Sequence, residues 1–133
     1  MKGIRWVLAL VAVLSLGTAC SDYSTGGAER AGTLTLRLTT PHADDGGVMF
    51  EVSGPPIDSA MAVNASLRLF TRRAGGSRIV GAVVGVVANG AVVTLRVPDV
   101  GAAAEYTARV LEVADRQNAL RASLTGYAIT VTP

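Results

Sequence analysis

Two-residue alternation is the feature that most constrains this chain. Leu34, Leu36 and Leu38 interleave with Thr33, Thr35, Arg37 and Thr39, and Val48, Phe50 and Val52 with Met49, Glu51 and Ser53. The same rhythm returns where Val93, Leu95 and Val97 alternate with Val92, Thr94 and Arg96, and where Tyr127, Ile129 and Val131 alternate with Ala128, Thr130 and Thr132. Successive side chains on a strand point to opposite faces, so each segment offers one apolar face to a core and one to water. About seven or eight such strands, with turn signals every 8 to 12 residues or so, define an all-β chain folded as a single β-sandwich over residues 33–133.

The connections are read from glycine, proline and polar clusters. Thr40-Pro41 ends the first strand, and the turn formers of residues 42–47 make a hairpin the simplest link to the second. Gly54-Pro55-Pro56 stops that strand, and residues 57–65 read as irregular or at most one helical turn. From Ser66 to Arg72 the chain reads as a third strand, with Leu67 and Leu69 on one side and Arg68, Phe70 and Arg72 on the other; Ala74-Gly75-Gly76-Ser77 turns it. An apolar run from Arg78 to Ala88 then meets Asn89-Gly90, a strong hairpin signal, with Gly81 and Gly85 marking a bulge or break.

Residues 102–122 admit two readings. Glu105 with Arg109 and Glu112 with Arg116 have the spacing of helical ion pairs, and alanine is abundant. Tyr106-Thr107, Val110 and Val113 favour extended backbone, and residues 115–118 read as a turn before the last strand. Strand is the preferred reading.

Ahead of the sandwich the chain changes character. Lys2 and Arg5 precede a charge-free stretch from Val7 to Leu16, the n-region and h-region of an export signal, and the whole apolar stretch is shorter than the roughly 20 residues a spanning helix needs. Leu16-Gly17-Thr18-Ala19-Cys20 resembles the lipobox of bacterial lipoproteins, with Gly17 where that family most often has leucine. The resemblance implies removal of residues 1–19, a diacylglyceryl group (palmitate among its usual chains) on the thiol of Cys20, and acylation of the new amino terminus. Several chains hold firmly, since each buried methylene contributes about 0.8 kcal/mol and one chain alone binds marginally. Cys20 is the only cysteine, so neither an intrachain disulfide nor a cysteine-ligated zinc site is available. In diderm hosts Ser21, in place of aspartate, implies passage to the outer membrane. Residues 20–32, small, polar and glycine-rich, read as a flexible lipid-attached tether.

Trimming at Cys20 also corrects the charge. The whole chain carries twelve basic and ten acidic side chains; losing Lys2 and Arg5 leaves ten of each. The ten remaining bases are all arginine, clustered only at Arg72, Arg73 and Arg78, so a nucleic-acid partner is not expected.

Chemistry-bearing patterns are sparse. The single histidine, His42, stands beside Asp44 and Asp45, and two aspartates near loop carbonyls have the hard-oxygen character calcium takes. Asp-Asp-Gly-Gly is equally what a tight strand connection uses, and that reading is preferred. Arg72, Arg73 and Arg78 have the charge to meet lipid phosphates, against the plainer role of guarding a hairpin tip from aggregation. No nucleophile elbow, phosphate loop or His-Glu-x-x-His pattern occurs, so no catalytic residue, metal or cofactor is assigned.

The successions Asp45-Gly46-Gly47-Val48-Met49-Phe50-Glu51-Val52-Ser53-Gly54-Pro55, Val93 to Asp99 and Glu105 to Val110 resemble cohesin-type and other immunoglobulin-like sandwich domains of bacterial surface proteins. That resemblance implies a non-catalytic module of the cell envelope that binds a protein or carbohydrate partner. The alternative is a structural or assembly lipoprotein with no ligand. With one tryptophan, in the signal, and five aromatic residues beyond it, a sugar-stacking platform is poorly supplied.

Replacing Cys20→Ser is expected to shift the protein out of the membrane fraction of fractionated cells; an unchanged membrane fraction contradicts lipid attachment at that residue.

Overall fold

The computed structural model describes residues 27–133; the segment read as an export signal, Cys20 and the first part of the expected tether lie outside the described residues. Eight strands form: β1 (Gly32–Thr39), β2 (Asp45–Ser53), β3 (Ser59–Ala62), β4 (Leu67–Arg73), β5 (Ile79–Gly85), β6 (Gly90–Val97), β7 (Thr107–Asp115) and β8 (Ala128–Thr132). They make two antiparallel four-stranded sheets, ordered β3-β6-β1-β8 and β4-β5-β2-β7. The β-sandwich expected from the alternation is therefore the architecture, with eight strands. No helix among the described residues is long and apolar enough to cross a membrane.

The inward positions are those the alternation selects. Leu34, Leu36 and Leu38 of β1 and Val93, Leu95 and Val97 of β6 meet Val48, Phe50 and Val52 of β2, Ile79 and Val83 of β5 and Val113 of β7, all buried. Apolar area removed from water is the main stabilising term, and here it comes almost wholly from aliphatic side chains. Phe50 is the one large aromatic at the centre. Gly81 lies across from it on β5, and a Cβ there would collide with the tip of the Phe50 ring. Gly81 is thus neither a bulge nor a break: it clears the space the ring fills. The strand does end at Gly85, whose φ of 140° turns the chain out of the sheet.

Both expected hairpins other than the β4–β5 one are absent. β1 and β2 lie in different sheets, and so do β5 and β6. The links between them are arches over the ends of the sandwich. Alternation is the same whether two strands lie side by side or face to face, so the local pattern does not separate hairpin from arch. Asn89-Gly90 does not close a turn; the Asn89 side-chain oxygen accepts from the Thr40 amide at 2.7 Å and joins the two arches, while Val87 plugs the core at 1% exposure.

Residues 57–65, expected to be irregular, contain β3, which pairs with β6 from Ser59↔Arg96 to Ala62↔Val93. Ile57 is buried just before it, and the Asp58 amide donates to the Arg96 carbonyl at 2.8 Å, so a short edge strand follows from anchoring at one end. Residues 107–115 are strand, as preferred, after a 3-10 turn at Val100–Glu105. Arg109 accordingly pairs with Glu51 of β2 at 3.0 Å rather than with Glu105. Tyr106, buried ahead of β7, donates its hydroxyl to the Pro56 carbonyl at 2.8 Å and closes this end of the sandwich. At the same end the segment leading into β1 is tied to the domain: the Arg30 amide donates to Asp99 and the Arg30 carbonyl accepts from Val100.

Gly81→Ala is expected to cost about 1–3 kcal/mol by overpacking against Phe50, part of it recovered by adding Phe50→Leu. Denaturant titration reads both; an unchanged midpoint for Gly81→Ala would show that the ring does not need that space.

Candidate functional site

Asp45, read from the sequence with Asp44 as a turn or a calcium ligand, is the most buried charged side chain among the described residues, at 0% exposure. It opens β2. Its Oδ1 accepts from Arg121 Nε at 3.1 Å, Arg121 Nη2 at 2.8 Å and the Tyr127 hydroxyl at 2.9 Å; its Oδ2 accepts from the Thr40 hydroxyl and from Tyr127 at 3.0 Å. Asp44 holds Arg121 Nη2 from the outside at 2.6 Å. A guanidinium therefore takes the position a cation would occupy, and the carboxylate has no free lone pair aimed at solvent. His42 lies against the Tyr127 ring, 5.9 Å between centroids, and not against either aspartate as an ion pair.

Burial pushes the Asp45 carboxyl up, but the hydrogen bonds from Thr40, Arg121 and Tyr127 more than offset it and hold its pKa below the usual carboxylate range. Arg121 likewise lowers that of Asp44 by direct hydrogen bonding. Burial first, and then the bond to Asp45, raise the Tyr127 hydroxyl. This arrangement is a structural clasp: Thr40 ends β1, Asp45 begins β2, and Arg121 and Tyr127 belong to the link from β7 to β8. That link is itself built by Asp115, whose Oδ1 accepts the Gln117 and Ala119 amides at 2.9 Å each, with Asn118 at φ 66° in the expected turn.

Arg72, Arg73 and Arg78 do meet at the β4–β5 tip, but with different duties. Arg73 Nη2 donates to the Ile57 carbonyl at 2.8 Å, and Arg78 Nη2 donates to the Ala74 carbonyl at 2.9 Å while its Nε lies 3.7 Å from Glu51. Arg72 makes no side-chain ion pair or hydrogen bond among the described residues and stands on the outer face of the sheet.

That outer face was not picked out from the sequence. Strand register places cross-strand partners on one side, giving a middle row of Phe70, Ala82, Met49 and Glu112, with Arg68, Val84, Gly47 and Ala114 on one flank and Arg72, Val80, Glu51 and Arg109 on the other. Phe70 is 62% exposed and Leu120, bridged beside Ala114, 66%. Met49 and Val84 are exposed as well. Two shallow depressions flank Met49: one of about 230 Å³ against Phe70, Arg72 and Val80, one of about 170 Å³ against Val84, Glu112 and Leu120. The other sheet differs, its outer rows being Ser59, Arg96 and Thr33, then Met61, Thr94, Thr35 and Thr132, then Ala91, Arg37 and Thr130, with Met61, 65% exposed on the edge strand β3, its one large exposed apolar side chain. The available signal was Phe70 itself, an aromatic on the arginine side of its strand.

No protein-family model, curated protein or solved structure matches the chain.

Arg121→Met leaves a buried, unpaired carboxylate and is expected to cost about 3–5 kcal/mol, with partial recovery on adding Asp45→Asn. The lowered pKa values fix the sign with pH: the stability Asp45 and Asp44 supply is complete above the ordinary carboxylate value of about 3.9 and is lost as pH falls through their lower folded-state values. Thermal melts from neutral to acid pH should therefore show a shallower acid decline in Asp45→Asn; a decline identical to the parent chain contradicts the clasp.

Proposed function

We propose that this chain is a lipid-anchored cell-envelope protein, held through Cys20 and in a diderm host at the outer membrane, whose sandwich binds a protein partner through the outer face of the β4-β5-β2-β7 sheet. The observation that carries the reading is the asymmetry of the two sheets. One turns a mainly threonine and arginine surface to water, with Met61 isolated on its edge strand, whereas the other leaves Phe70, Met49, Val84 and Leu120 contiguous and uncovered. Scattered surface hydrophobics need no explanation, but a contiguous patch rimmed by charge is the character of a docking surface.

The chemistry favours protein over carbohydrate. Phe70 is the one aromatic on this face, and it lacks the polar edge with which tyrosine and tryptophan hold sugar hydroxyls. Aliphatic side chains, methionine and arginine around a single aromatic anchor are the composition of protein interfaces. The rim carries Arg68, Arg72, Arg78 and Arg109 against Glu51 and Glu112, and so favours a partner with acidic groups around an apolar centre.

Photo-crosslinking residues placed singly at Phe70 and Leu120 in intact cells are expected to yield one discrete adduct with an envelope protein, and residues at Thr35 and Thr94 none. Equal yields from the two sheets, or free chain alone, would contradict the assignment; adducts of the chain with itself would favour the structural, ligand-free lipoprotein.

A further inference from the structure

We propose that the partner enters as an added strand: the free edge of β4 takes an extended segment that alternates acidic and apolar residues. This rests on the protein-binding reading and names the chemistry that satisfies it.

The first ground is hydrogen bonding. β4 is the edge of its sheet and pairs only with β5. The Ala74 amide bonds to the Arg78 carbonyl, which fixes the alternation of the β4–β5 ladder: residues 68, 70 and 72 turn their backbone groups to β5, and residues 69, 71 and 73 turn theirs outward. Outside the ladder, Leu67 bonds to Asn64, and the amides of Leu69, Thr71 and Arg73 have no other backbone partner among the described residues. A row of three unused donors and acceptors is the template that strand addition uses.

The second is space. Along this edge, between β4 and the short β3, runs a cleft of about 260 Å³ lined by Asp58, Ser59, Ala60, Thr71, Arg73 and Ile79 among others. A strand laid on β4 would send alternate side chains into that cleft and the others onto the outer face.

The third is charge. On the outer face β4 presents Arg68, Phe70 and Arg72 in sequence, with Phe70 62% exposed. These positions face an added strand in its non-hydrogen-bonded pairs, where opposing side chains come closest and opposite charges stabilise. A second copy of the chain is a poor occupant: laying β4 fully along another β4, antiparallel, sets each Arg68 opposite an Arg72. An acidic residue, then any residue, then an apolar one, and the same in reverse, meets all three positions.

The test uses the lipidated full chain in phosphatidylcholine nanodiscs and fluorescence polarisation with capped peptides. TEVLVET sets glutamates against Arg72 and Arg68 and leucine against Phe70. It is expected to bind at least tenfold more tightly than TKVLVKT, and N-methylation of its two valines, whose amides face β4, is expected to abolish binding. Doubly substituted Arg68→Glu/Arg72→Glu, both changes at exposed positions, is expected to reverse the preference between the two peptides. Equal binding of the two peptides, survival of binding after N-methylation, or no binding of either overturns strand addition. So does displacement of TEVLVET when phosphatidylglycerol replaces phosphatidylcholine in the disc, which would give the face to the membrane. Retention of the Phe70 crosslink in Arg68→Glu/Arg72→Glu separates the two levels: it removes the added strand and keeps the docking face.

Discussion

One buried carboxylate holds the two sheets in their relation to each other. Asp45 is reached by the end of β1 through Thr40 and by the β7–β8 link through Arg121 and Tyr127, and its own strand lies inside the β4-β5-β2-β7 sheet. Burying a charge is costly unless it is paired and its remaining lone pairs are satisfied, and here donors from three side chains do so. Because strands change sheet at nearly every connection, the ends of the sandwich are crossed by arches rather than closed by hairpins. Arches gain little from local ladders, and the clasp supplies a fixed point for those at its end: Thr40 and Asn89 join the β1–β2 arch to the β5–β6 arch, and Asp45 joins the first to the β7–β8 link.

The opposite end is closed by apolar and neutral means. Tyr106 bonds to the Pro56 carbonyl, Ile57 is buried, and Arg73 caps the Ile57 carbonyl. With both ends fixed and Phe50 seated over Gly81, β4 is held extended against β5 along its whole length. This bears on the proposed docking, because an exposed edge strand lends its hydrogen bonds to a partner at low cost only if it is already extended and in place.

Much of this was legible in the sequence, for a simple reason. Alternation reports which residues face inward, and Leu34, Leu36, Leu38, Phe50, Val93, Leu95 and Ile129 are all buried as it requires. Alternation does not report which strand lies beside which, so the arches after β1 and β5 read as hairpins. β3 escaped because three of the four residues of Ser59–Ala62 are small, its one large side chain, Met61, faces solvent, and it follows two prolines; its pairing is imposed by Ile57 and the Asp58 amide. The role of Asp45 was out of reach, since its partners Arg121 and Tyr127 lie 76 and 82 positions away and adjacent aspartates suggest a local turn or a cation. The outer face met the same obstacle: the alternation of β4 already sets Phe70 beside two arginines, but Met49 and Leu120 join it only through strand register.

Strand addition places the unfilled hydrogen bonds of β4 at the centre of the proposed docking, and amide hydrogen exchange measured residue by residue on the full chain addresses them most directly. Arg68, Phe70 and Arg72, bonded to β5, should exchange slowly, while Leu69, Thr71 and Arg73 exchange fast and become protected when TEVLVET is added. Protection of Leu69, Thr71 and Arg73 in the free chain would mean that the edge is already covered, and would contradict its use as the docking strand.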